Sequence, residues 1–436
     1  MAEPVGRPPR VAMVVNNGIV NDARVLKSAH SLARAGAQVV VLGVASPGAG
    51  RQEASAAGVR FVRLPVVPGR RLTPRYVRWA ATRRLGRLSR AADWRHALPV
   101  TRYYAKAFAP ELRRLSPDVV HVHDVHLLAA VHGAVDEAPP GPAVVYDAHE
   151  YVAGLAVSGA RNQRVVEGWA SLERQFIRRS DRVVTVSPAI ADRLQKDHEL
   201  QSTPAVVYNA PLWWDDPQSS RDLRTEAEVR PHETLVVYSG ALSAARGVDT
   251  VIRALPLLPS VVLAVVAVPH PHPMAALLRE LARTLQVQQR LRFVPPVPSH
   301  EVPAYLAGAD VGISPILGDD ASYDMALPNK LFEFVHAGLP IVTSDVAAMS
   351  RFVRENRLGN VFRQGDAGSC AKAVSDLLAD PPTADTAHLR RTYSWQGQEQ
   401  GLVDVYRGMA QERPALADLE VSDVPWTAAE LAVEFG

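Results

Sequence analysis

A single cysteine, Cys370, stands in 436 residues, which excludes an internal disulfide framework and fits a reducing compartment. No apolar run reaches bilayer length. The longest, Val261–Val268, reads instead as a buried strand. Met1–Pro9 has no apolar centre, so no secretory signal is expected and the chain is read as cytoplasmic. Net charge is only +3, which argues against a dedicated nucleic-acid binder. Three motifs are also missing. The turn after the first apolar run, Asn16–Asp22, has one glycine and no Gly-x-Gly-x-x-Gly, and no Walker-type Gly-Lys-Ser/Thr occurs, so nicotinamide and P-loop chemistry are not expected. Without Asp-x-Asp there is no obvious carboxylate pair for a bridging metal, and no metal or other cofactor is expected.

What is present is an alternation of short apolar runs with helical patterns, the signature of parallel α/β sheets. The first half carries runs at Val11–Val15, Gln38–Val44, Val119–His123, Ala143–Tyr146, Arg182–Val186 and Val206–Tyr208. A second series follows at Leu235–Ser239, Val261–Val268, Leu291–Val294, Val311–Ser314 and Pro340–Thr343. The chain is too long for one core. It divides into a Rossmann-like domain over 1–211, a polar linker over 212–233 and a second Rossmann-like domain over 234–394. A helix over 395–410 crosses back, and an acidic segment over 411–436 reads as an ordered arm or a free tail. The expected fold is α/β, with two doubly wound domains and a ligand at the carboxyl ends of their strands.

Leu327–Pro340 holds the densest chemistry. Pro328 suits a helix start and Gly338 a left-handed helix end, so a short helix begins near Pro328. Its first turn, Asn329-Lys330-Leu331, presents unpaired amides and the positive end of a dipole to an anion. A lysine there is otherwise unfavourable, so a phosphate would explain Lys330. Glu333, three residues on, can accept from two neighbouring hydroxyls such as a ribose diol. The competing reading is an ordinary amphipathic helix with an i,i+3 ion pair.

The motifs Asn21–Leu26, His121-Val122-His123-Asp124, Tyr146-Asp147-Ala148-His149-Glu150, Val186-Ser187-Pro188, Tyr208–Pro211 and Pro328–Pro340, in that order, resemble those of family 4 glycosyltransferases of the GT-B architecture. The resemblance runs from about Val11 to Arg407 and implies a retaining, metal-independent transferase of a sugar from a UDP- or GDP-sugar to a glycan, lipid-linked or small-molecule acceptor. It implies that Arg246, in the loop after Tyr238-Ser239-Gly240, meets the donor diphosphate with Lys330, while His123 lies beside the donor sugar. Ala241 stands where the family often has a second arginine. Met325 stands where it often has the first acid of a Glu-x7-Glu pair, with Glu333 as the second. A catalytically silent binding subunit and a nucleotide-sugar epimerase are the alternative readings.

Gly18 is expected to let its loop approach the diphosphate. Asp22 and Arg24 open the next helix on the acceptor side, Asp22 having a second reading as a cap. His149 and Glu150 are read as acceptor-positioning. Zinc at His121, His123, Asp124 and His126 is disfavoured by the strand spacing of the first two. Arg70, Arg71, Arg75, Arg78, Arg83, Arg84, Arg87, Arg90 and Arg95, among Tyr76, Trp79 and Trp94, form either a surface for peripheral contact with an anionic membrane or a solvated basic face.

Overall fold

The computed structural model describes residues 7–20, 22–67, 93–137, 140–157, 161–318, 320–431 and 433. The chain forms two compact units, the first made of Met1–Val207 with Glu399–Gly436 and the second of Tyr208–Gln398.

In the first unit an eight-stranded sheet runs in the order β3-β4-β2-β1-β5-β6-β7-β8. Its strands are β1 (Arg10–Val14), β2 (Gln38–Val44), β3 (Gln52–Ala56), β4 (Val59–Leu64), β5 (Val119–His123), β6 (Ala143–Ala148), β7 (Arg182–Thr185) and β8 (Ala205–Val206). All pairings are parallel except β3 with β4, a hairpin closed by Ala57 and Gly58 at positive φ. This hairpin was not expected. β3 is polar and half exposed along its length, and β4 interrupts its apolar residues with Arg60 and Arg63, so neither reads as an apolar run. The order reverses between β1 and β5, where ligands of doubly wound sheets collect.

The second unit contains a six-stranded parallel sheet in the order β11-β10-β9-β12-β13-β14. These are β9 (Thr234–Gly240), β10 (Val261–Ala267), β11 (Leu291–Val294), β12 (Val311–Ser314), β13 (Ile341–Ser344) and β14 (Gly359–Phe362). Every residue of β10 is buried, as helix cover on both faces requires. Val261, Leu263 and Val265 join one core, while Val262, Ala264 and Val266 join the other. Period-two alternation thus feeds two apolar layers rather than one wet and one dry face. Here the reversal falls between β9 and β12.

One expectation of domain organisation is corrected, and one open alternative is decided. The segment 212–233 is no linker: its short helix Leu223–Glu226 buries Leu223, and Ala227 beside it, in the core of the second unit. Charged neighbours hide that i,i+4 apolar pair in the sequence. Of the two readings of the segment beyond 410, the described residues 411–431 form the arm, packed in the first unit, where Leu416, Leu419 and Trp426 are buried. The Trp426 indole donates to Glu399, and Arg34 pairs with Glu430. Of the basic stretch, Arg70, Arg71, Arg75, Tyr76, Arg78, Trp79, Arg83, Arg84, Arg87 and Arg90 lie outside the described residues. Arg95 is exposed and stacks on Trp94. Among the described residues no helix is long and apolar enough to cross a membrane.

Candidate functional site

Two groups of polar side chains sit at the two strand-order reversals, one in each unit. In the second unit β9 ends at Gly240, whose φ of +118° only glycine adopts freely. The chain then makes one tight turn, Ala244–Arg246, and passes Gly247, where a Cβ would lie 2.0 Å from the Pro315 carbonyl oxygen. This clash makes glycine obligatory there, and the guanidinium of the preceding Arg246 lies 5.0 Å over the Tyr323 ring.

The helix α1 (Asn329–Ala337) follows β12, with Pro328 at its N-cap and Gly338 in the left-handed conformation at its end. Proline offers no capping side chain; the Leu331 amide donates to the Pro328 carbonyl at 3.0 Å, which leaves the Asn329 and Lys330 amides at the helix start without a side-chain cap. Asn329 is exposed there. Leu331 does not take the donor-binding place expected of it: its side chain is buried in the core and its amide donates to the Pro328 carbonyl.

Lys330 is 6% exposed and its Nζ has no hydrogen-bond partner. Its Nζ lies 3.6 Å from the centre of the Tyr238 ring, whose face offsets part of the cost of burial. Burial, and then the charge of Arg246, push its pKa well below the usual ammonium range against a smaller opposing pull from Glu333. Glu333 accepts from the Ser239 hydroxyl at 3.5 Å, a long bond. Two cationic side chains and free helix amides therefore converge where an anion completes the charge balance.

In the first unit β5 and β6 pair so that His123 lies opposite Asp147. His121 and His123, two apart on β5, share a face and stack at 4.4 Å. Around the Asp147 carboxylate stand His123 at 3.3 Å, His149 at 3.3 Å and His121 at 3.6 Å. Arg24 donates to both its oxygens at 2.7 Å and to the Val207 carbonyl at 2.7 Å. Tyr406, from the helix α2 (Trp395–Arg407), holds His121 Nδ1 at 2.7 Å.

Burial alone would raise the Asp147 carboxyl, but Arg24, His149 and hydrogen bonds from His121 and His123 hold it well below the usual range. Burial would lower His149, yet Asp124 and Asp147 raise it to about 9, so it is cationic at neutral pH. His123 is lowered to about 3 by burial and the neighbouring His121, and is a neutral imidazole. His121, His123 and Asp147 bring possible ligand atoms within 4.8 Å of one another, the donor set that could hold a metal ion. The Arg24 fork already occupies both Asp147 oxygens.

Several expected residues take other places. Arg24 does not reach toward ligand: it is 3% exposed, and its guanidinium is engaged inside the unit. Asp22 caps the helix Ala23–Arg34 through the Val25 amide and accepts from Asn17, so its carboxylate is already employed. Gly18 has space for a Cβ, with nothing nearer than 3.9 Å, and the left-handed residue in that loop is Ile19 at φ 72°. Glu150 is exposed, and His149 is partly so. The central role of Asp147 went unread as a site residue. Its signal was the i,i+2 spacing with His149, which puts both on the β6 face that meets His121 and His123.

Residues 22–210 match the model of the Glycosyl transferase 4-like domain, and residues 233–380 that of Glycosyl transferases group 1. A D-inositol 3-phosphate glycosyltransferase of Nocardia farcinica is 25% identical over 330 residues, 70% of each chain. A GDP-mannose-dependent alpha-(1-6)-phosphatidylinositol monomannoside mannosyltransferase of Mycolicibacterium smegmatis is 30% identical over 192 residues, 42% of this chain and 50% of that one. The chain thus spans between about half and seven tenths of the length of curated relatives it matches. The solved sucrose-phosphate synthase of Thermosynechococcus elongatus superposes with a TM-score of 0.72 at 16% identity, over 93% of this chain and all of that one, a likeness of fold. Two doubly wound sheets, the ordered motifs and both family matches agree: the chain belongs to the glycosyl transferases group 1, family 4 of the GT-B glycosyltransferases.

Proposed function

We propose that the chain transfers a sugar from a nucleotide diphosphate donor, a UDP- or GDP-sugar, to a glycan, lipid-linked or small-molecule acceptor, with retention and without a metal. The observation that carries the reading is Lys330, a buried ammonium without a hydrogen-bond partner, at a helix start and electrostatically coupled to Arg246. Burial disfavours the charged form of Lys330, and a diphosphate beside it would restore that charge. Arg246 supplies a fork for phosphate oxygens, and the amides of Asn329 and Lys330 supply further donors. Glu333 is the acceptor for the ribose diol.

In this reading the leaving diphosphate gathers negative charge as the glycosidic bond lengthens, and the fixed cations stabilise that charge more than the ground state. The departing phosphate takes the acceptor's proton on the same face, which gives retention. His123, neutral at working pH, orients a hydroxyl rather than delivering a charge.

The test is calorimetric titration of UDP and GDP in EDTA, followed by mass spectrometry of nucleotide-sugar hydrolysis. Binding in EDTA is expected. Affinity that disappears in EDTA and returns with magnesium or manganese overturns the metal-free reading. His123→Ala is expected to keep nucleotide binding while hydrolysis falls on the order of a hundredfold. Met325, in place of the first acid, favours one second reading, a silent binding subunit. Nucleotide binding without turnover on any donor would select it.

A further inference from the structure

A cavity of about 180 Å³ opens in the first unit beside His149. By volume it holds roughly six waters, so it fits one ring rather than an oligosaccharide. Its polar wall mixes hydrogen-bond donors and acceptors: Arg161 and the His149 imidazole stand with the carboxylates of Asp124 and Glu150. Hydroxyls both donate and accept, and so suit such a wall better than a group of one charge. The remaining wall is apolar, led by Trp169 and Leu155. His126 meets the Trp169 ring edge-on at 5.0 Å and fixes its orientation. His126 also lines the cavity, and its Nδ1 is buried without a hydrogen-bond partner. Native proteins rarely leave such an atom unsatisfied.

We infer that this cavity is the acceptor subsite and takes a neutral, polyhydroxylated single ring of the sugar type. The apolar face of the ring lies on Trp169, its edge hydroxyls meet His149, Glu150 and Arg161, and one hydroxyl satisfies His126. The acceptor role rests on the transferase reading, whereas the binding of a sugar ring does not.

The test is saturation-transfer NMR on the full chain with glucose, mannose, galactose and myo-inositol, with UDP and GDP titrated in parallel. Transfer to the ring hydrogens of at least one of these is expected. Trp169→Ala should weaken that binding about tenfold or more. His126→Phe keeps the ring and its volume and should weaken it several-fold. Both variants should bind UDP and GDP as the parent does. No transfer from any of the probes, or equal binding by both variants, overturns the inference. Sugar binding without nucleotide binding would sustain the cavity as a sugar site and overturn the transferase reading. Nucleotide binding without sugar binding would do the reverse.

Discussion

The Lys330 ammonium rests 3.6 Å from the centre of the Tyr238 ring and has no hydrogen-bond partner. A ring face offsets part of the desolvation of a cation but not all of it. Burial and the nearby Arg246 thus disfavour the charged form of Lys330, which an anion beside it would favour.

That makes Lys330→Met informative in two directions. Removing a buried amine without a hydrogen-bond partner should raise the melting temperature, while losing a phosphate contact should weaken UDP or GDP binding by at least about tenfold. The lysine pKa is depressed in the folded state, so its contribution to stability is present above the ordinary ammonium pKa and is lost as pH falls through the depressed one. Diphosphate binding should draw a proton onto Lys330 and tighten as pH falls. Calorimetry in buffers of different ionisation enthalpy measures that uptake. Uptake that persists in Lys330→Met assigns the proton elsewhere.

Glu333→Gln keeps the shape of the side chain and removes its charge. A hydrogen bond to a charged group contributes about 1.5–3 kcal/mol, so nucleoside diphosphate affinity should fall by roughly ten- to a hundredfold with the fold intact. A large loss of melting temperature with unchanged affinity would instead make Glu333 a structural residue.

Arg24 and Asp147 should behave as a unit. Asp147→Asn leaves a buried guanidinium without its counter-charge and should cost about 3–5 kcal/mol in urea unfolding. Arg24→Met should cost a comparable amount. The double replacement should cost less than the sum of the two, and additivity would show that the fork contributes no coupling.

His149 sets a pH dependence of the opposite sign to Lys330. Its folded pKa is raised from 6.5 to about 9. The stability it confers is therefore fully present below the unfolded value of 6.5 and is lost as pH rises through about 9. His149→Gln should flatten unfolding free energy over that window. NMR titration of the imidazole carbons gives the pKa directly, and a value near that of a free histidine would refute the charge assignment.

What local chemistry controls was readable in the sequence. The strands of both sheets that are apolar runs, the helix start beside Pro328 and its end at Gly338 all follow from nearest neighbours in the chain. The Lys330 and Glu333 spacing needs nothing more than helix geometry. The structure starts that helix at Asn329, with Pro328 as its cap, one residue from the expected position.

Elements without an apolar signature were not readable. The β3–β4 hairpin escapes because an edge strand need not be hydrophobic, and Leu223 escapes because its burial is decided by the core that covers it. Arg24 shows the limit most clearly. Read along the chain it is a basic residue opening a helix and free to reach outward. Its partner Asp147 lies 123 residues away, and that pairing exists only once β5 and β6 are side by side. The same folding step gathers His121, His123 and His149 around one carboxylate and separates their pKa values. Sequence alone determined which chemical groups are available and the local geometry of the phosphate-type site. Tertiary structure decided which charges are buried together, and burial is what turns ordinary histidines and a lysine into groups of altered proton affinity.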